Sequence, residues 1–270
     1  MTRFTKRCAM AFDLTGSRAL ITGAGSPVGI GFASARLLAE MGASVFLTGA
    51  SDRVLDRAAE LTASGFTAFA ITADLTDEQQ AEHLIEATLE SLGGIDIVVN
   101  NAGMTSVAEP MHESGEAGDA VTMNAHGWQR SLNRNLNSAF YVTHYALPHI
   151  RKSSHGRIIM MSSVTGPVMA IRSDIAYATT KAGMVGLTKA LAVDEAPRGI
   201  TVNAVAPGWI KTDSQLEAEV GHGAKTPMGR SATPAEVAAA VGWLASREAS
   251  YITGQVIVVD GGNSIAEERS

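Results

Sequence analysis

Cysteine is almost missing from this chain of 270 residues: the single Cys8 can form neither an internal disulfide nor a cysteine-built metal cage, which suits a reducing compartment. Histidine is sparse as well. The seven present (His83, His112, His126, His144, His149, His155 and His222) show no HExxH pattern and no pair four residues apart, so the sequence offers no zinc site. Cations are outnumbered, 21 Lys+Arg against 27 Asp+Glu, and a formal charge of −6 gives a nucleic acid little to hold. No stretch reaches 18 uninterrupted apolar residues, and the basic start MTRFTKRCAM runs into Phe12, Asp13 and Leu14 rather than an apolar segment. Neither a membrane span nor a secretory signal is expected, and the expected location is cytoplasmic. Residues 1–12 read as a tail ahead of one domain over 13–270, with Met1 and Met10 both available as the start.

What is present is the composition of a folded protein, 46% apolar and 18% charged, with 27 glycines that follow no fixed period. Short apolar runs recur at 19–21, 44–48, 69–71, 95–99, 157–161, 200–205 and 255–259. They lack polar alternation, as strands do when helices cover both faces of a sheet. Between them, 29–41, 52–63, 77–92, 128–151, 175–196 and 234–245 have helical length and spacing. The expected architecture is α/β: a single doubly wound domain, a seven-stranded parallel sheet with helices on both faces. Thr76 is the expected N-cap of the third helix, and Thr233, Pro234 and Glu236 open the last as a capping box. Residues 104–127 read as a polar loop insertion, and 209–230 as a second irregular stretch.

After the first strand comes TGAGSPVGIG, Thr22–Gly31, where glycines at a strand-to-helix turn let backbone N–H groups reach a pyrophosphate. At the end of the second strand Gly49 stands where an acidic residue would hold the ribose hydroxyls of NAD, while Ser51 and Arg53 are placed to meet a 2′-phosphate, so NADP is the expected cofactor. In YATTK, Tyr177 and Lys181 are four apart and share one helix face, where an ammonium lowers a phenol pKa toward useful proton exchange. Ser162 and Ser163 end the fifth strand, NNAG (Asn100–Gly103) the fourth and PGWIKT (Pro207–Thr212) the sixth. Four strand ends therefore converge.

With ADL (Ala73–Leu75), NLNSAF (Asn135–Phe140), SSVTG and the closing ITGQVIVVDGG (Ile252–Gly262), these motifs resemble the short-chain dehydrogenase/reductase family from about Leu14 to Asn263. The resemblance implies hydride transfer between a nicotinamide cofactor and a carbonyl or secondary alcohol. It implies Tyr177 as proton donor, Ser163 (with Ser162 the lesser candidate) as the hydroxyl on the substrate oxygen, Lys181 on the nicotinamide ribose, and Asn135 as anchor of a relay water. It also implies cofactor contacts from Gly23, Gly25, Ser26, Gly29, Ile30, Gly31, Asp74, Leu75, Asn101, Ala102, Gly103, Pro207, Gly208, Ile210 and Thr212. Three departures stand out. Thr22-Gly23 lies two residues further from Gly29 and Gly31 than is usual, with Gly25 restoring the frame and Pro27 replacing a position often basic in NADP-binding members; Ser163 stands one residue further from Tyr177 than the commonest spacing; and 104–127 is longer than the usual loop. The stretch from Lys225 to Ser246 most resembles members acting on 3-oxoacyl thioesters; sugar, polyol or steroid-type alcohol dehydrogenases are the alternative. A non-catalytic dinucleotide sensor would have lost Tyr177 or Lys181, and enoyl reductases space the pair more widely. The family resemblance also points to a homotetramer.

Overall fold

The computed structural model describes residues 12–103, 115–213, 215 and 217–267. Strands β1 (Arg18–Thr22), β2 (Ser44–Gly49), β3 (Ala68–Thr72), β4 (Ile97–Asn100), β5 (Arg157–Met161), β6 (Thr201–Pro207) and β7 (Val256–Val259) form one parallel sheet in the order 3-2-1-4-5-6-7. The strand order reverses between β1 and β4, which opens a crevice at their carboxyl ends. Helices α1 (Ile30–Glu40), α2 (Arg53–Ala63) and α8 (Pro234–Ala245) cover one face; α3 (Glu78–Leu92), α5 (Ser138–Ile150) and α6 (Ile175–Glu195) cover the other. The central strands are buried on both sides, which is why their sequences do not alternate: Ala19, Leu20 and Ile21 of β1 and Ile97, Val98 and Val99 of β4 have no exposed surface. Phe32, Leu38, Val241 and Leu244 pack below one face, and Leu84, Ile85, Val142 and Ile150 above the other.

Five sequence expectations need correction. The fourth strand begins at Ile97, not at 95, because Asp96 turns out to hold Arg18: its Oδ2 accepts from the Arg18 backbone N–H at 2.9 Å and from Nε at 2.7 Å. The N-cap of α3 is Asp77, which accepts from Gln79 N–H, while Thr76 donates instead to Asp74. The segment 128–151 is not one regular helix: α4 (Ala125–Leu132), capped by Asn124, runs into a wide π-type turn over Asn133–Asn137 before α5 begins. The insertion expected over 104–127 therefore ends at Asn124, and its part at 104–114 lies outside the described residues, as do residues 1–11 of the expected tail. Finally, 209–230 contains a helix, α7 (Glu217–Ala224). The capping box of α8 is present, with Thr233 and Glu236 each accepting from the other's backbone N–H.

Candidate active site

The crevice is shaped first by its backbone. Thr22 Oγ1, at the end of β1, accepts from Asn101 and Ala102 N–H at 3.0 and 2.9 Å, and Asn101 Nδ2 donates to the carbonyls of Thr22 and Gly23, both at 3.0 Å. These bonds stitch the ends of β1 and β4 together. Gly23 sits at φ +68°, and a Cβ there would lie 2.8 Å from Ala102 Cα; a Cβ on Gly31 would lie 2.4 Å from Gly23 O. Both glycines are thus required by the protein's own packing. Gly25 is different: its nearest neighbours would be Val54 N at 3.8 Å and Arg53 Cβ at 3.9 Å, so no packing demands a glycine there. The N-cap of α1, Gly29, makes no side-chain cap, and the first turn carries no acid, which leaves positive backbone N–H groups for an anion.

The glycine turn borders a cavity of about 1180 Å³ that extends past Ser163, Tyr177 and Lys181 to Trp209. That exceeds the roughly 300–1,000 Å³ usual for one ligand and leaves room for a dinucleotide with a substrate. Of the expected cofactor residues, Gly23, Gly25, Ser26, Gly29, Ile30, Ser51, Arg53, Asp74, Leu75, Asn101, Ala102, Gly103, Pro207, Gly208, Ile210 and Thr212 all line it. Gly31 does not; it packs against Gly23 O behind the wall. Arg53 Nε donates to Ser51 Oγ at 3.3 Å, and the Asp74 carboxylate is turned onto Thr76.

Ser163 hydrogen-bonds Tyr177 and accepts from Thr165 N–H at 3.1 Å, whereas Ser162 Oγ is spent on Lys181 O at 2.9 Å. Position therefore separates two adjacent serines that sequence left open. Lys181 lies with Nζ 5.5 Å from the centre of the Tyr177 ring and donates to Met161 O at 2.8 Å. One N–H of three is thereby used; a ribose diol could take the other two. Asn135 also stands behind the wall, its Nδ2 donating to Ser131 O at 3.1 Å. It reaches the site through Gly103, whose absent Cβ would lie 2.9 Å from Asn135 Oδ1 and 3.6 Å from Lys181 Nζ.

The expected lowering of the Tyr177 pKa by Lys181 is not what the protein alone produces. Burial pushes the phenol above its ordinary value, opposed by the Ser163 hydrogen bond and reinforced by the charges of Asp174 and Glu219. Lys181, equally buried, is itself pulled down to about 8.

Several groups at the site were not singled out from the sequence. Trp209 stacks on His222 of α7, ring centres 5.0 Å apart and planes at 19°, and Asp174 and Glu219 line the same end. Asp174 had a legible signal, since it lies three residues, or one turn, before Tyr177. His222 and Glu219 had none, because their helix was read as irregular. The described part of the insertion is tied down on both sides: buried Glu116 pairs with Arg130 of α4 and Arg134 of the wide turn after it at 3.4 and 3.2 Å, and Gly118 N–H donates to Ser173 O at 2.8 Å. Among the described residues no group of three or more His, Cys, Asp or Glu could hold a metal, and no helix is long and apolar enough to cross a membrane.

A family model described as Enoyl-(Acyl carrier protein) reductase matches residues 23–264. The chain is 38% identical over 269 residues to Oxidoreductase UcpA of Salmonella typhimurium, covering 95% of this chain and 98% of that one. It is 39% identical over 259 residues to 3-oxoacyl-[acyl-carrier-protein] reductase FabG of Aquifex aeolicus, covering 94% and 99%. A short-chain type dehydrogenase/reductase of Mycobacterium marinum superposes with a TM-score of 0.84 at 35% identity, over 94% of this chain and 98% of that one.

Proposed function

Because this chain belongs to the short-chain dehydrogenase/reductase family, we propose that the cavity between β1, β4, β5 and β6 is its active site and that Ser163, Tyr177, Lys181 and Asn135 carry its chemistry. The chain is an NAD(P)-dependent oxidoreductase acting on carbonyl and alcohol groups. When bound, the nicotinamide supplies or accepts the hydride. Tyr177 exchanges the proton with the substrate oxygen, and Ser163 holds that oxygen through the hydroxyl that now contacts Tyr177. Lys181 binds the ribose with its two remaining donors, and Asn135 steadies a water behind Gly103. The observation that carries this reading is the meeting of Ser163, Tyr177 and Lys181 beside the uncapped start of α1. The spacing of four between Tyr177 and Lys181 favours carbonyl chemistry over the enoyl reduction in the family model's description.

NADP is the preferred cofactor in this reading, supported by Gly49 in the place of an acid and by the Ser51–Arg53 pair on the wall. Two substrate classes have support. A 3-oxoacyl thioester is favoured by the FabG relative, and a polyol or sugar-type alcohol by the carboxylates and aromatic pair at the far end of the cavity. A cytoplasmic homotetramer completes the proposal. The test follows NADPH and NADH absorbance against acetoacetyl thioester and ring ketones. Turnover that falls at least a hundredfold in Tyr177→Phe is the expected result, with Arg53→Ala lowering the NADPH to NADH ratio at least fivefold. Full activity in Tyr177→Phe overturns the assignment; an unchanged cofactor ratio in Arg53→Ala overturns the NADP preference.

A further inference from the structure

Two of the residues assigned to the chemistry stand on elements that one short segment of the insertion joins. Asn135 lies in the wide turn Asn133–Asn137, and Tyr177 lies in the first turn of α6. Gly115 O rests so closely on Gly127, in the first turn of α4, that Gly127 has no room for a Cβ. Glu116, only 1% exposed, follows. Its Oε1 stands 3.4 Å from Arg130 Nε in the last turn of α4 and 3.2 Å from Arg134 Nη1 in the wide turn, so one carboxylate oxygen spans the junction of the two. Two residues on, and so at most about 7 Å along the chain, Gly118 N–H donates to Ser173 O at 2.8 Å and Gly118 pairs with Asp174 in an isolated parallel bridge. Asp174 O in turn accepts from Ala178 N–H at 3.0 Å, which closes the first turn of α6.

Both ties hold backbone of an uncommon kind. A π-type turn is a rare interruption of an α-helix, and here Arg134 O lies 3.7 Å from where a Cβ on Gly103 would stand, with Asn135 Oδ1 at 2.9 Å from the same point. Ser173 sits at φ +60°, a conformation that side-chain-bearing residues keep only where their surroundings impose it. We propose that Glu116 is a positioning residue for proton transfer: it holds the wide turn that aims Asn135 and, through Gly118, keeps that turn in register with the start of α6 and Tyr177. The inference rests on the roles given above to Asn135 and Tyr177. Glu116 acts without touching either. Burying its carboxylate is offset by the two guanidinium groups it draws together; without that charge the two cations repel, and Arg134 carries the wide turn away from Gly103.

The test uses the full chain with Glu116→Gln, which keeps the shape and removes the charge, and Glu116→Asp, which keeps the charge and shortens the reach. In Glu116→Gln, amide exchange over 133–138 should rise about tenfold while β1 keeps its protection. The Kd for NADPH should stay within about twofold of wild type, since no cofactor contact is altered. In the reduction of acetoacetyl thioester or cyclohexanone by NADPH, kcat should fall about tenfold and KM should change less than about threefold, because a small misplacement of a reacting group is costly. Glu116→Asp should lose about threefold in kcat by the same reasoning. Glu116→Gln combined with Asn135→Ala should be no slower than Asn135→Ala alone, whereas a loss of general structure would multiply with it. Unchanged exchange over the wide turn, wild-type kcat in either Glu116 variant, or losses that multiply in the double variant overturn the inference. If removing the charge unfolds the chain, β1 loses protection as well and Glu116→Asp decides. A slow Asn135→Ala beside a fast Glu116→Gln refutes the inference alone; full kcat in Asn135→Ala removes the role of Asn135 and the inference with it. Wild type that binds NADPH and reduces neither carbonyl overturns both.

Discussion

Two glycines in one turn should answer the same substitution in opposite ways. At Gly31 an alanine Cβ would stand 2.4 Å from Gly23 O and 2.5 Å from Asn101 Nδ2. Neither can swing aside: the first is backbone at the end of β1, and the second is held by two hydrogen bonds of 3.0 Å. Overpacking of this kind costs about 1–3 kcal/mol, near the upper end where backbone must move. The gain of alanine over glycine inside α1 returns about 1 kcal/mol. The net loss is then about 1–2 kcal/mol, or a fall in Tm of roughly 2–8 °C for a domain of this size. Gly25→Ala meets only ordinary contacts at 3.8 and 3.9 Å, so its Tm should stay within about 1 °C of wild type, a change below 0.5 kcal/mol by the same conversion. Gly25 instead lines the cavity, so a methyl added there should crowd the cofactor, and cofactor affinity should drop at least tenfold, which is about 1.4 kcal/mol. Thermal unfolding of the cofactor-free variants, followed by fluorescence titration with NADPH, checks both halves. A Gly31→Ala variant as stable as wild type, or a Gly25→Ala variant that binds as well, would refute the reasoning.

Two further predictions concern charge. Burial sets the folded pKa of Lys181 at about 8, below an unfolded value of about 10.4, so the unfolded chain holds more protons between these limits and wild-type stability rises with pH across that window. Cofactor-free Lys181→Met, which cannot charge, should therefore exceed wild type in Tm at pH 7 and lose that advantage toward pH 10; a constant Tm difference from pH 7 to 10 argues against it. At the other end of the sheet, Asp96 is held below the usual carboxylate range: burial opposes ionisation, but the Arg18 and Ser153 hydrogen bonds outweigh it. Its contribution is present above pH 4 or so and is lost as pH falls through the lowered folded value. With Arg18 a third exposed, Asp96→Asn should cost about 1–2 kcal/mol at pH 7. Urea midpoints at pH 7 and pH 3 test this, since a gap of the same size at both would rule out the charge as its source.

The sheet was legible because burial on both faces forces continuous apolar runs, and the crevice because glycine and asparagine mark the strand ends that must approach closely. What escaped depended on contacts that chain order does not display. Asp77 rather than Thr76 caps α3 because Thr76 is already engaged by Asp74. Asn135 and Gly31 sit behind the wall rather than on it, a distinction of a few ångströms. The choice between Ser162 and Ser163 is made by the approach of Lys181 O to the first. α7 was missed because the helical spacing of Glu217–Ala224 is interrupted by Gly221 and Gly223, residues that disfavour a helix in isolation. The opposition of burial and charge at Tyr177 depends on Glu219, more than 40 positions away in sequence, so no local pattern could announce it.

The wide turn over Asn133–Asn137 bears on how Asn135 comes to face inward. Among the buried positions through this region, which also include Ser138 and Val142, one line advances in steps of four: Gly127, Ser131, Asn135, Ala139 and Thr143. In a regular helix of 3.6 residues per turn, a line of such steps precesses by about 40° each time and would wind off the interior before it reached the fifth member. Widening one turn takes back part of that precession, so a single inward line persists from α4 into α5 with Asn135 at its midpoint. The aim of that amide is thus fixed by arithmetic along the backbone, by how many residues the chain allots to one revolution, more than by any one neighbour pressing upon it.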